Sequence, residues 1–239
     1  MKRQIKTSKK LILGIGALCL FSLLMSSCLK DSNNDVTPPT ALVTFYQASP
    51  DEPAMNLDLN TNQVNQNPIY YGDDIDYFRA YAGQRIVNLF YANTTNTIAT
   101  TPVTLVANNA YSLFLANTAA HPEIVLLTDT LNRPATGNAS IRLVNLSPDA
   151  PSVDLKVMGG PVLVANRGFK GFSSFLPLTA KSGYTFQIVQ TGTSNVLATL
   201  SNVGINNGYV YTILFHGLAT TTNNGDKLAA DLITNAFFY

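Results

Sequence analysis

Acid-base, nucleophilic and metal chemistry each need particular side chains at particular spacings, and this chain offers few of them. His121 and His216 are its two histidines. They fall at non-equivalent places in the two copies of an internal repeat, so they support neither a shared metal site nor a repeated His-based catalytic unit, and a lone histidine reads as structural. Gly72-Asp73-Asp74-Ile75-Asp76 places three carboxylates within four residues, which suits calcium. The spacing and glycine of an EF-hand loop are missing, and a solvated turn is the simpler reading. No Gly-x-Ser-x-Gly, Cys-His pairing, phosphate loop or Gly-x-Gly-x-x-Gly is present. The expectation is therefore no catalytic residue, no metal and no cofactor, so not an enzyme.

Binding is the stronger candidate. Tyr70, Tyr71, Tyr77, Tyr81, Phe169, Phe172 and Phe175 occupy matching regions of the two copies, after the second strand and before a Gly83 or Gly183 turn. Exposed, they would stack on sugars or form an interface, with Tyr70, Tyr71, Phe169 and Phe172 the candidates; buried, they are core. Core is the first expectation, because aromatics are the largest source of apolar burial in a fold without disulfides. The absence of Trp weakens the sugar reading further.

The elements that position these residues are built twice. Ser49-Pro50-Asp51-Glu52-Pro53 recurs as Ser147-Pro148-Asp149-Ala150-Pro151, and Asn108-Asn109-Ala110-Tyr111 recurs as Asn206-Asn207-Gly208-Tyr209, both at an offset of 98. A period that long is too large for a solenoid or a propeller blade and fits a complete domain. Within each copy the apolar period is 2: Val153, Leu155 and Val157 alternate with Asp154 and Lys156, and Tyr184, Phe186 and Ile188 with Thr185 and Gln187. That is the pattern of antiparallel sheet with one buried face. Frequent Gly, Asn and Pro punctuation suggests about seven short strands per copy, a β-sandwich.

The repeated Ser-Pro-Asp-x-Pro falls between predicted strands, 41–48 and 54–59 in the first copy, 139–146 and 152–158 in the second. Pro50 and Pro148 fix φ and hold Ser49 and Ser147 extended, Asp51 and Asp149 accept a backbone hydrogen bond as turn residues do, and Pro53 and Pro151 stop a helix. The motif reads as a stiff corner, with a calcium ligand or an acid as the lesser alternative.

The start of the chain has its own logic. Lys2, Arg3, Lys6, Lys9 and Lys10 precede an apolar run over residues 11–25 and then Ser26-Ser27-Cys28. A basic start, a run short of the roughly 20 residues that span a bilayer, and small residues before a cut mark a cleaved secretory signal; a retained anchor or cleavage without lipidation are the alternatives. The cysteine directly after the small pair resembles a lipoprotein lipobox, which implies lipidation of Cys28. Lys30 and Asp31 resemble the export signal that sends lipoproteins of the Bacteroidetes to the outer face of the outer membrane, although Ser32 stands where a second acid is usual; a plain solvated tether is the other reading. Removing residues 1–27 takes five of the 15 Lys and Arg and none of the 14 Asp and Glu, leaving 10 against 14 and a net charge of −4. A mildly acidic surface argues against nucleic acid. Cys19 lies in the signal and Cys28 would carry lipid, so the mature fold has no disulfide.

A strand ending in Ser147-Pro148-Asp149-Ala150-Pro151, an alternating Val153-Asp154-Leu155-Lys156-Val157, a Gly159-Gly160 turn and Ser182-Gly183-Tyr184-Thr185-Phe186 together resemble the bacterial family catalogued as domain of unknown function 4397. The first copy is looser, with Met55-Asn56-Leu57 and Gln84-Arg85-Ile86 at the corresponding places. The resemblance implies a secreted or surface-anchored β-sandwich and carries over no catalytic residues. Asp129-Thr130-Leu131, between the copies, resembles an O-glycosylation site of exported Bacteroidetes proteins, with Thr130 the acceptor; an unmodified loop is the alternative. The C-terminal Ala236-Phe237-Phe238-Tyr239 would suit an outer-membrane barrel, but two globular repeats and a lipidated N-terminus fit that poorly.

The expected fold class is all-β: two tandem immunoglobulin-like antiparallel sandwiches after a lipoprotein signal peptide. The expected divisions are a signal peptide at 1–27, a tether at 28–40, one sandwich at 41–130, a linker at 131–138 and a second sandwich at 139–239, with few contacts crossing the linker. The expected role is a lipid-anchored protein of the outer membrane, facing the exterior, binding an unknown protein or glycan partner. An accessory glycan-binding lipoprotein and a surface hydrolase are the other two readings.

Overall fold

Alternating apolar residues and turn-forming punctuation produce the same eight-strand order in each half. In the computed structural model, which describes residues 37–239, the first half forms β1 (Thr40–Gln47), β2 (Met55–Leu59), β3 (Asn62–Gln63), β4 (Asp74–Tyr81), β5 (Gly83–Tyr91), β6 (Thr97–Leu105), β7 (Ala110–Ala116) and β8 (Glu123–Asp129). The second half repeats it with β9 (Asn138–Asn145), β10 (Val153–Val157), β11 (Val162–Arg167), β12 (Leu176–Thr179), β13 (Lys181–Gln190), β14 (Val196–Ile205), β15 (Tyr209–His216) and β16 (Ala229–Phe237). Each half is two four-stranded sheets, β4-β1-β7-β8 against β3-β2-β5-β6 and β12-β9-β15-β16 against β11-β10-β13-β14. Both are sandwiches rather than walls of a barrel: β16 closes an edge of its sheet against β15.

One pairing in each half departs from the antiparallel expectation. β1 runs parallel to β7, with Leu42 opposite Ala110 and Gln47 opposite Leu115, and β9 runs parallel to β15 in the same way. Alternation along a strand reports which face is buried but not the direction of the neighbour, so the sequence pattern was blind to this.

Each sandwich has its own core. Val43, Phe45, Leu57, Leu89 and Leu113 centre the first, and Ile141, Leu143, Leu155, Phe186 and Ile213 the second. The sheets differ in how many faces they bury. β5 alternates buried and accessible positions, as a one-sided strand should, whereas every residue of β7 and all but the first of β15 are buried. Continuous burial means both faces are covered. The second face belongs to a third cluster, in which Tyr46, Ala48, Phe114 and Ala116 of the first half pack against Val144, Leu146 and Leu214 of the second. The four sheets therefore stack in layers, and residues Pro38–Tyr239 form one compact unit. The expectation of few contacts between the halves is corrected by this seam. Each large apolar side chain fully buried there contributes about 1.5–3 kcal/mol.

The repeat is also not a uniform offset. Tyr111 and Tyr211, not Tyr209, are structural counterparts: their phenol oxygens accept from the backbone N–H five residues earlier, Val106 at 2.9 Å and Asn206 at 3.2 Å.

Candidate functional site

Two clusters of ionisable and hydroxyl side chains lie on the seam. Arg142 sits in the apolar run Ala139-Ser140-Ile141-Arg142-Leu143-Val144, at an outward position of β9, and the facing sandwich covers it. Its side chain is 2% exposed and its Nη1 lies 2.7 Å from Oδ1 of Asp129, at the end of β8. Nε donates to Thr212 Oγ1 at 2.8 Å and Nη2 to Ser112 Oγ at 2.9 Å. Ser112 in turn donates to Asp129 at 2.8 Å. Thr212 donates to Asn235 at 2.6 Å, Asn235 donates to the Tyr77 hydroxyl at 3.2 Å, and Tyr77 donates to Asp129. The result is a closed ring of hydrogen bonds with Tyr77, Ser112 and Asp129 from one half and Arg142, Thr212 and Asn235 from the other. Burial, with the Asp129 charge beside it, pushes the Tyr77 phenol up from its ordinary value.

A second cluster crosses the same seam. His216, 4% exposed, places Nδ1 2.5 Å from the Tyr71 hydroxyl and Nε2 2.8 Å from Asp231. Tyr46 donates to that Asp231 oxygen at 2.5 Å. The hydrogen bond from His216 holds the Asp231 carboxyl below its usual range against the opposing effect of burial. Burial pushes the Tyr46 and Tyr71 phenols up. A His-Asp pair could serve as a base, but both imidazole nitrogens here have protein partners and the ring is closed off from solvent. It fastens the halves together. His121, by contrast, lies exposed in the turn before β8.

The Ser-Pro-Asp-x-Pro corners lie where predicted, directly after β1 and β9, but the shorter hydrogen bonds of their aspartates reach beyond the turn, Asp149 having one long local contact, from the Ser147 hydroxyl at 3.5 Å. Asp149 accepts from the backbone N–H of Ala219 at 2.8 Å and of Thr220 at 3.1 Å, and from the Thr220 hydroxyl at 2.7 Å. Asp51 likewise accepts from Ala119 N–H at 2.8 Å. Each aspartate staples the loop that follows the last inner strand of its own sandwich. Burial disfavours the Asp149 charge, but the Ala219 and Thr220 hydrogen bonds together outweigh it and hold the carboxyl below its usual range. Ser147 donates to the Gly217 carbonyl at 2.7 Å. In the first copy Ser49 Oγ and both carboxylate oxygens of Glu52 are buried with no hydrogen-bond partner among the described residues. Burial, then the neighbouring Asp51, raises the Glu52 pKa.

The aromatic candidates divide. Tyr71 and Phe169 are in the seam, with Tyr77. Phe175 lies under the Arg142 guanidinium, 4.5 Å from ring centroid to Cζ. Tyr70, Tyr81 and Phe172 remain exposed at 58%, 56% and 48%. They form no continuous row. Of the acidic trio, Asp73 accepts from Tyr70 N–H at 2.8 Å, and Asp74 opens β4 opposite Tyr46. Thr130 is exposed directly after β8, while its neighbour Asp129 is locked in the ring. Cys28, Lys30 and Asp31 lie outside the described residues.

Two concave regions carry exposed aromatics. One, of about 380 Å³, is lined by Arg79, Arg85 and Tyr81 beside β3 and β4. The other, of about 350 Å³, opens on the seam between the halves and is lined by Thr128, Thr130, Ser140, Phe172, Ser174 and the Arg142–Phe175 pair. Sequence reasoning missed the seam and its Arg142, Asp231 and Tyr46. The available signals were a lone cation inside an apolar strand and unbroken apolar runs in β7 and β15.

Residues 41–156, from β1 into β10, match the model of a family described as Domain of unknown function (DUF4397). This stretch is similar to that family. It includes the first sandwich, both Ser-Pro-Asp-x-Pro corners and both partners of the Arg142–Asp129 pair. No curated protein matches the chain. Among solved structures, the chain is similar to the Bacillus anthracis TIE protein, with 10% identity over 75% of this chain and 34% of that one and a TM-score of 0.25. It spans about a third of that protein's length. It is also similar to a family CBM26 module from Eubacterium rectale Amy13K, solved with maltoheptaose, with 10% identity over 82% and 97% of the two chains and a TM-score of 0.26. A proposed cell adhesion protein from Bacteroides fragilis gives 10% identity over 84% and 99%, with a TM-score of 0.25. Likenesses this distant carry no argument about a ligand.

Proposed function

We propose that this protein is a non-catalytic binding module, held at the outer face of the outer membrane by lipid on Cys28 and exported through Lys30 and Asp31. The observation that carries the binding role is the use of the seam's ionisable groups. Arg142, Asp129, His216 and Asp231 are each engaged by partners within the protein, so they fix the two sandwiches as one rigid body rather than face a substrate. A rigid body of this kind presents loops and clefts with little ordering cost on binding, which favours recognition of an external ligand. The tether before β1 would let it stand away from the lipid surface.

Full-length protein in mild detergent, applied to a combined glycan and protein array and then to a panel of chromogenic glycosides and esters, tests the reading. Retention of a glycan or protein without turnover is the expected result. Turnover of any of these substrates would replace the module with a surface hydrolase.

A further inference from the structure

We propose that the cleft on the seam binds a neutral saccharide, with Phe172 as the stacking surface and the surrounding hydroxyls as hydrogen-bonding partners. The inference rests on the binding-module reading and assigns that module a site and a ligand class. About 350 Å³ accommodates one or two sugar rings, within the range of small-ligand sites. Thr128 and Thr130 come from the last strand of the first sandwich and its exit, Ser140 from the first strand of the second, and Ser174 from the segment before β12. None of these four hydroxyls has a hydrogen-bond partner among the described residues, although Ser173 beside them is engaged with Leu143 and Ser174 backbone atoms. Four unpaired groups that both donate and accept, around one half-exposed ring, match the alternating hydroxyls and C–H faces of a sugar.

Charge decides against an anion here. Arg142 is the cation lining the cleft, and each of its three guanidinium nitrogens already has a partner in Asp129, Thr212 or Ser112. The Arg79 and Arg85 groove is the opposite case. Arg85 also engages its three guanidinium nitrogens, but with the neutral Tyr81, Gln84 and Ala82 carbonyls, and neither Arg79 nor Arg85 has a carboxylate partner among the described residues, so an acidic ligand would go there. The seam cleft exists only because the two sandwiches are locked together, which gives the Arg142–Asp129 ring a functional consequence: it holds hydroxyls from both halves at fixed separation.

The test is calorimetric titration of the full-length protein in mild detergent with neutral hexasaccharides of glucose, mannose and galactose, using Phe172→Ala, Ser174→Trp and Tyr81→Ala. Thermal melts report whether each variant is folded. Binding of at least one hexasaccharide, weakened about tenfold by Phe172→Ala, abolished by the cleft-filling Ser174→Trp and unchanged in Tyr81→Ala, is the expected result. Binding that depends on Tyr81 and not on Phe172 would overturn the site. Failure of all three sugars while the array retains a protein or an acidic glycan would overturn the proposal and leave the binding module standing; an array with no ligand at all would overturn both.

Discussion

Arg142 and Asp129 meet at 2.7 Å across the seam with side chains 2% and 0% exposed, one contributed by each sandwich. Two charges removed from water cost several kcal/mol each, and only mutual attraction and full hydrogen bonding offset that. Here Ser112 and Tyr77 hydrogen-bond Asp129 Oδ2 while Oδ1 has the Arg142 ion contact alone, so the pair is stable only while both halves are present.

Removing one partner should therefore be worse than removing both. Arg142→Ala or Asp129→Ala alone leaves an uncompensated buried charge and should destabilise by about 3–5 kcal/mol, whereas Arg142→Met with Asp129→Leu should lose much less. Denaturant titrations of the three variants check this. Equal losses in all of them would show that the pair has no special energetic role.

The seam also predicts cooperativity. A chain cut within the exposed segment between β8 and β9 should keep its halves associated, and the intact protein should unfold in one calorimetric transition. Separated halves would expose Tyr46, Phe114, Val144 and Leu214, an apolar face that favours aggregation or reassociation. Two independent transitions in the intact protein would contradict a single unit.

Much of this architecture was legible beforehand, and the reason is local. Ser147-Pro148-Asp149-Ala150-Pro151 restricts its own backbone, and Val153-Asp154-Leu155-Lys156-Val157 records one buried face in its own alternation, so both could be read without a partner. The seam was different. Ala110-Tyr111-Ser112-Leu113-Phe114-Leu115-Ala116 has too little alternation for one buried face, but the run itself does not say what covers the second. Arg142 carries no local mark of its role for the same reason. Its counter-charge lies in another sandwich, and no local pattern links β8 to β9. The aspartate staples were half visible: a turn acceptor was foreseeable, but Ala219 lies 70 residues from Asp149.

Asp149 should behave as a loop staple. Asp149→Ala removes the three hydrogen bonds that Ala219 and Thr220 make to a partly exposed carboxylate and should cost about 1–3 kcal/mol at neutral pH. Because the folded pKa is depressed, the contribution is present above the unfolded value and lost as pH falls through the folded one. The wild-type advantage over Asp149→Ala should thus shrink in acid. Added calcium should leave the melting midpoint unchanged, since backbone N–H groups occupy the carboxylate; a calcium-dependent midpoint abolished by Asp149→Ala would make it a ligand.

The proposed lipid anchor would rest on a single sulfur. Cys28→Ser should leave the precursor uncleaved or move the protein to the soluble fraction, and Lys30→Ala with Asp31→Ala should retain it on the periplasmic side. Fractionation and protease shaving of intact cells read these separately. Unchanged membrane partition and processing in Cys28→Ser would eliminate the lipid anchor.

Glu52 should be a defect that substitution repairs. Its carboxylate is buried at the first Ser-Pro-Asp-x-Pro corner with no partner among the described residues, while the second copy carries Ala150 at that place. Burying a polar group without compensation costs about 1–3 kcal/mol, so Glu52→Ala should stabilise the protein at neutral pH by part of that amount. The folded pKa is raised, chiefly by burial and then by Asp51, so the sign runs opposite to Asp149. The protonated form's stability is fully present below the unfolded value of about 4.3 and is lost as pH rises through the folded value. Wild type should therefore lose stability relative to Glu52→Ala on going from acid to neutral pH. Chemical denaturation of both proteins at pH 4 and pH 7 measures the difference, and a gap that stays constant between them would mean that the carboxylate is solvated or paired in the folded protein.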